Sequence, residues 1–248
     1  SATQIVRRPI RVRDLAPDLE GLKILQLTDL HLGPFMDPTG IEAIVEAARA
    51  HAPDLVVLTG DICDHLPYLP SALGAIESLS PRLGVLAAMG NHEVYRGRRE
   101  NLRIYGQSGT DLLVDQARTL RVGAAEIVVA GVDDPARGGL VDPYPRAIER
   151  ALDGTPSAAF RLGLCHRPSG FPALARAGVD LTLSGHTHAG QIGVGERSVF
   201  ERVAPEAYLW GRYEHAGKQL YTSSGGGHWF AFRLACPSEA ALVTLERA

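Results

Sequence analysis

Five short apolar runs, each ending in a cluster of polar residues, constrain this chain most. Residues 22–27 run into Asp29-Leu30-His31, and residues 55–58 into Gly60-Asp61-Ile62-Cys63-Asp64. Residues 85–89 end at Gly90-Asn91-His92-Glu93, residues 161–165 at His166, and residues 181–183 at Ser184-Gly185-His186-Thr187-His188. Apolar runs this short, bounded by turn residues, read as buried strands. In a parallel sheet the carboxyl ends of the strands share one edge, so polar loops that follow them can converge on one point. Carboxylate, amide and imidazole together suit one or two divalent first-row metals better than a proton relay alone.

The segments between these runs support parallel pairing. Ile41, Ile44, Val45 and Ala48 have helical spacing, with Thr39 as the expected N-cap and Pro53 closing the segment. Strand, helix and strand over this distance make a βαβ unit with a right-handed crossover. Further helices are expected over residues 71–79, 145–152 and 172–177. Residues 120–122 and 126–132 read as a hairpin, and residues 133–145, rich in Gly, Pro and Asp, as an exposed loop. In the tail, residues 220–223, 229–234 and 240–245 look like antiparallel strands. The expected fold class is α/β, with two sheets packed face to face and helices outside, in a single domain over residues 1–248.

Composition narrows the function classes. With 45% hydrophobic and 21% charged residues, the 248-residue chain has ample material for a core. A net charge of -3 and the lack of a basic run argue against an extended nucleic-acid partner. Lys23 and Lys218 are the only lysines, so a cationic contact to a substrate anion falls to arginine. Cys63, Cys165 and Cys236 are far apart and odd in number, which reads as buried thiols rather than a disulfide framework. No apolar run reaches the ~18 residues of a membrane span. The chain opens on Ser1 without a Met, so an N-terminal segment that precedes it is an expectation.

Each polar cluster alone has a bland reading. Asp-x-His after a strand is usually a turn or a helix cap, and Gly-Asp-x-x-Asp suits any turn. Gly-Asn-His-Glu is rarer, and the alternation in His186-Thr187-His188 puts both imidazoles on one face of an extended segment. Five solvated loops in this order, each at a strand end, form an improbable coincidence.

The joint pattern resembles the calcineurin-like metallophosphoesterase superfamily, whose blocks run D-x-H, G-D-x-x-D, G-N-H-[DE], H and G-H-x-H. The flanking Thr28-Asp29-Leu30-His31-Leu32-Gly33-Pro34 and Gly185-His186-Thr187-His188-Ala189-Gly190-Gln191 are similar to a bacterial subgroup of often membrane-anchored phosphoesterases, as is the Gly-rich stretch at residues 224–227. The resemblance implies an αββα sandwich of two mixed sheets flanked by helices, with a dinuclear metal site. It implies that Asp29, His31 and His188 hold one metal, that Asn91, His166 and His186 hold the other, and that Asp61 bridges them. His92 would serve as the catalytic imidazole and Asp64 as the carboxylate that orients it. Two divalent ions, Mn, Fe or Zn, would generate the attacking hydroxide between them, and His92 would assist the leaving group.

Monoester, diester and pyrophosphate substrates all fit such a site. The subgroup's anchoring, together with Tyr208, Trp210, Tyr213, Trp229 and Phe230 beyond the last metal block, points to an amphiphilic phosphate ester and peripheral membrane association. Arg167 reads either as a phosphate contact or as a surface arginine, and Asp133, Asp134 and His228 as residues near the cleft. The alternatives are a non-catalytic protein-binding scaffold, which normally lacks some of these ligands, and a nuclease of the same superfamily. A metallo-β-lactamase-type hydrolase needs a compact His-x-His-x-Asp-His run, which this sequence lacks.

Overall fold

Both faces of the central strands are apolar, so each strand must be covered twice. In the computed structural model, which describes residues 3–136, 142–157, 159–195, 197–204, 207–228 and 232–248, four layers satisfy this demand. The first sheet contains β1 (Gln4–Val12), β2 (Lys23–Leu27), β3 (Leu55–Thr59), β4 (Val85–Ala88) and β5 (Asp111–Leu112). The second contains β6 (Gln116–Val122), β7 (Ala125–Val132), β8 (Phe160–Cys165) and β9 (Leu181–Ser184). A small ribbon of β10 (Gly193–Val194) and β11 (Arg197–Ser198) follows. β12 (Gly211–His215) and β13 (Lys218–Thr222) then complete the second sheet, and β14 (Glu239–Arg247) returns to the first. The strand orders are β1-β14-β2-β3-β4-β5 and β12-β13-β9-β8-β7-β6.

Strand alternation sorts the core. Leu55 and Val57 of β3 join Ile24, Leu162, Leu164 and Leu183 between the two sheets. Val56 and Leu58 turn the other way, under α1 (Pro38–Arg49) and α2 (Leu69–Glu77), with Ile41, Ile44, Val45 and Ala48. On the far face, Ile148 of α4 (Tyr144–Leu152) and Leu174 of α5 (Phe171–Arg176) pack on Val132 and Cys165. The αββα sandwich of two mixed sheets is therefore the fold.

Several elements differ from the sequence reading. The N-cap of α1 is Asp37, whose carboxylate accepts the N–H groups of Thr39 and Gly40. Thr39 lies inside the helix because Pro38, which suits the first helical position, starts it. Strand β1 and helix α3 (Asn91–Tyr105) were not legible. The tail is only partly antiparallel: β13 pairs antiparallel with β12 but parallel with β9, and β14 pairs antiparallel with β2 but parallel with β1. Of the strand expected over residues 229–234, residues 229–231 lie outside the described residues. Leu234 makes a single bridge to Ile192.

What positions the site is polarity at one end of both sheets. β2, β3 and β4 run parallel in the first sheet and β8 and β9 in the second, so all five polar clusters follow carboxyl ends. Two cross-sheet bonds hold those ends together. The buried Gln26 amide donates to Thr59 Oγ1 and to the Ser184 carbonyl, each at 2.9 Å. His166 Nδ1 donates to the Thr59 carbonyl at 2.8 Å.

Candidate metal centre

The loop after β2 crosses the loop after β3 through backbone bonds from Asp29 N–H to the Gly60 carbonyl and from His31 N–H to the Asp61 carbonyl. The loop after β9 docks by Gly185 N–H to the His166 carbonyl. Such close approach needs glycine: a Cβ on Gly185 would lie 2.0 Å from Asp29 Oδ2, and one on Gly90 would lie 2.2 Å from Asp61 Oδ1. Into this junction the chain brings Asp29, His31, Asp61, Asn91, His92, His166 and His188, all buried, with His186 half-buried at its edge.

The side chains form two connected groups. In the first, His188 Nε2 lies 3.3 Å from Asp29 Oδ1 and 3.0 Å from His31 Nε2. In the second, His166 Nε2 lies 3.2 Å from both Asp61 Oδ2 and Asn91 Oδ1. Donor atoms of Asp29, His31 and His188 come within 4.8 Å of one another, and so do those of Asp61, His166 and His186. Asp61 lies between the groups, because the oxygen that faces His166 is also 3.8 Å from His31 Nε2. The Asp61 carboxylate is steadied by the His92 backbone N–H, 2.8 Å from Oδ1.

Outer acceptors fix the imidazoles. Nδ1 of His31 is 3.1 Å from Asp64 Oδ2, and Nδ1 of His92 is 2.6 Å from Asp64 Oδ1. With His166 Nδ1 given to a carbonyl, His31 and His166 both turn Nε2 into the cluster. Fixing a ligating imidazole by its other nitrogen is the usual arrangement around a metal. The electrostatics agree. Burial would raise the Asp61 carboxyl, but the His166 charge outweighs it and holds Asp61 well below the usual carboxylate range. Burial favours neutral His166, yet Asp61 overrides it and lifts the imidazole to about 10. Burial drives His188 down to about 3, which leaves a neutral ring with a lone pair to give. Buried carboxylates need cationic partners. The donor set of carboxylate, amide and imidazole therefore fits divalent ions.

The structure also assigns work that sequence reasoning missed. Asp64 holds both His31 and His92, whereas the motif pointed to His92 alone. Glu93, third residue of α3, accepts the N–H groups of Gly90, Asp61 and Ile62 at 2.7, 2.9 and 2.8 Å and so joins two of the loops. Its place three residues after the helix N-cap was the available signal. Arg96, one turn beyond His92, reaches Asp64 Oδ1 at 3.1 Å. Arg167 is half-buried, 3.0 Å from Asp134 Oδ2 and 2.9 Å from His186 Nε2, so it is no ordinary surface arginine. Asp133 pairs with Arg98 at 2.8 Å, and His228 is half-buried. The cysteines are buried free thiols as expected.

One expectation is corrected. Trp210 is buried with Ala189 and Cys236, where the missing Cβ of Gly193 makes room for its ring. Tyr208 and Tyr213 stack edge-on and pack against Phe171 and Leu220. These three serve packing and so lend no support to the amphiphilic substrate they suggested in the sequence, and Trp229 and Phe230 lie outside the described residues.

Residues 22–190 match the family model of the calcineurin-like phosphoesterases. An uncharacterised metallophosphoesterase of Helicobacter pylori J99 is 33% identical over 228 residues, covering 90% of this chain and 60% of that protein. The phosphodiesterase YaeI of Escherichia coli K12 is 28% identical, covering 90% and 82%. The fold superposes on the TT1561 protein of Thermus thermophilus with a TM-score of 0.55 at 14% identity, covering 84% of this chain and 89% of that one. The chain thus spans about 60% of the length of the Helicobacter relatives.

Proposed function

This chain belongs to the calcineurin-like phosphoesterase family, and from that premise we propose that it is a hydrolase of phosphoric esters working with two divalent cations. Asp29, His31 and His188 hold one ion, Asn91, His166 and His186 hold the other, and Asp61 contributes to both. Mn, Fe and Zn suit this nitrogen and oxygen donor set. The observation that carries the reading is the two abutting donor groups with Asp61 between them, their imidazoles pinned from outside. Residues 1–248 act as one catalytic domain in this reading.

When bound, such ions would supply an activated water and offset the charge on the phosphate oxygens. The chain's own residues do the rest. Asp64 holds Nδ1–H of His92, which keeps Nε2 for the leaving-group oxygen. From there His92 gives that oxygen a proton as the ester bond breaks. Arg96 shares the Asp64 oxygen that His92 uses and helps hold it in place. The substrate we favour is a diester or pyrophosphate, in keeping with the activity in the name of the Escherichia coli relative.

The test is turnover of bis-p-nitrophenyl phosphate, p-nitrophenyl phosphate and a nucleotide-sugar pyrophosphate by the Mn-loaded protein and by His92→Asn. The variant should keep its metal and lose roughly 10²–10⁴-fold in turnover, the range for a missing general acid. The loss should be smallest for esters of acidic phenols, which leave without protonation. Inactivity of the metal-loaded wild type on all three ester classes would defeat the proposal. An equal loss across leaving groups would remove His92 from the proton step.

A further inference from the structure

An apolar surface for which the chemistry has no use borders the candidate centre. Six of the nine most exposed large apolar side chains among the described residues are Val194, Val199, Phe200, Val203, Phe232 and Leu234. They fall in two stretches that form one backbone knot. Leu234 N–H donates to the Gln191 carbonyl at 2.9 Å, and Gly193 N–H to the Leu234 carbonyl at 3.0 Å. Val199 N–H donates to the Ile192 carbonyl at 3.1 Å. The knot begins three residues after His188 and returns to it through Arg233, whose Nη2 lies 3.3 Å from His188 Nδ1. The same guanidinium donates to the carbonyls of Gly225 and Gly227. Neighbours on an extended segment face opposite ways. Arg233 turns toward the centre, while Phe232 and Leu234 are exposed.

Resting on the phosphoesterase reading above, we propose that this face seats in the acyl region of a lipid surface, so that the ester cleaved is a lipid headgroup. Contiguous exposed apolar side chains on a globular fold mark an interaction site. Valine, leucine and phenylalanine at this density suit insertion at the boundary of headgroups and chains. The rim of this face is mixed in charge: Arg197, Arg202 and Arg212 are exposed beside Glu214, and the sequence places Glu196, Glu201 and Glu206 in the same stretch. The Glu201 carboxylate in that stretch accepts the Tyr213 hydroxyl. Position decides between occupants: the knot is built on a ligand-bearing loop, so a lipid seated there brings its phosphoester to the ions, whereas a protein seated there crowds their access.

The experiment is flotation of the Mn-loaded protein with vesicles of phosphatidylcholine and phosphatidylglycerol. It uses wild type, Val194→Asp/Val203→Asp and the milder Val194→Ser/Val203→Ser. Val194 and Val203 are 71% and 77% exposed, so both substitutions leave the core untouched. Wild type should float with the vesicles, and the Asp variant should bind at least about tenfold less. The Ser variant should fall between them, with turnover of bis-p-nitrophenyl phosphate unchanged in all three. KM for p-nitrophenyl alkyl phosphodiesters should fall from ethyl to dodecyl in wild type and stay level in the Asp variant. Wild type that never floats, or variants that float equally well, would overturn the proposal. A concentration-dependent dimer that the Asp variant abolishes would overturn it too, by making a second copy the occupant. Vesicle binding without turnover of any ester would instead defeat the phosphoesterase reading.

Discussion

Asp29, His31, Asp61, His186 and His188, five of the seven candidate ligands, hold positive φ, between 47° and 70°. Each such residue costs on the order of 1–3 kcal/mol, and strain of this kind persists where the surrounding structure enforces it for function. At this centre the left-handed residues are the metal-ligand candidates themselves, in the turns that follow the strand ends. The neighbouring glycines make those turns compatible. Gly185→Ala is therefore an informative variant, since its Cβ would collide with Asp29 Oδ2 and Thr28 Oγ1. Overpacking of this type costs about 1–3 kcal/mol, which the fold should survive. Metal content measured beside circular dichroism should show a folded protein with a depleted centre. Full metal occupancy in that variant would mean that the close approach of the two loops is not required.

At the level of elements, the account depends on strands and helices that differ in how openly the sequence declares them. β2, β3, β4, β8 and β9 were legible because they are apolar on both faces and end in turn residues. β1 was not: it is an edge strand with exposed arginines, and its regularity is broken by Pro9, which an edge tolerates. Helix α3 was hidden by its polarity and by Gly97, which breaks it at φ 126°. Asn101 mends that break by donating to the carbonyls of Glu93 and Gly97. β1 is tied down by a buried pair that no motif announces. Arg8 Nη2 lies 2.8 Å from Glu239 Oε2, with the Tyr221 hydroxyl bonded to both residues and Ser223 and the Ser224 N–H on the other carboxylate oxygen. Removing one partner of a buried pair strands the other charge and costs about 3–5 kcal/mol. Urea denaturation of Glu239→Ala should show a loss of that size, and a change under about 1 kcal/mol would mean that water already reaches the pair.

For the whole molecule, the two sheets matter less as a scaffold than as two sources of ligands that meet at one end. The first sheet supplies Asp29, His31, Asp61 and Asn91, and the second supplies His166, His186 and His188. The centre therefore assembles only when the sheets are packed in register. The ligand types were readable in the sequence because metal chemistry restricts them and each follows a strand. The contacts that hold them, Gln26 across the sheets, Glu93 across the loops and Asp64 on two imidazoles, were not. They depend on which strand ends become neighbours in space. The apolar surface was misplaced for the same reason: tryptophan and tyrosine advertise an interface, but here Trp210 went into packing while valines and Phe232 stayed outside. Among the described residues no helix is long and apolar enough to cross a membrane.

The most direct test of this account is the metal stoichiometry of the purified protein after reconstitution with Mn, read by elemental analysis for wild type and Asp61→Ala. Asp61 lies between the two donor groups and contacts both, so wild type should bind two equivalents per chain and the variant should lose both. Wild type that binds no divalent metal, or a variant that keeps a full pair, would contradict the centre described here.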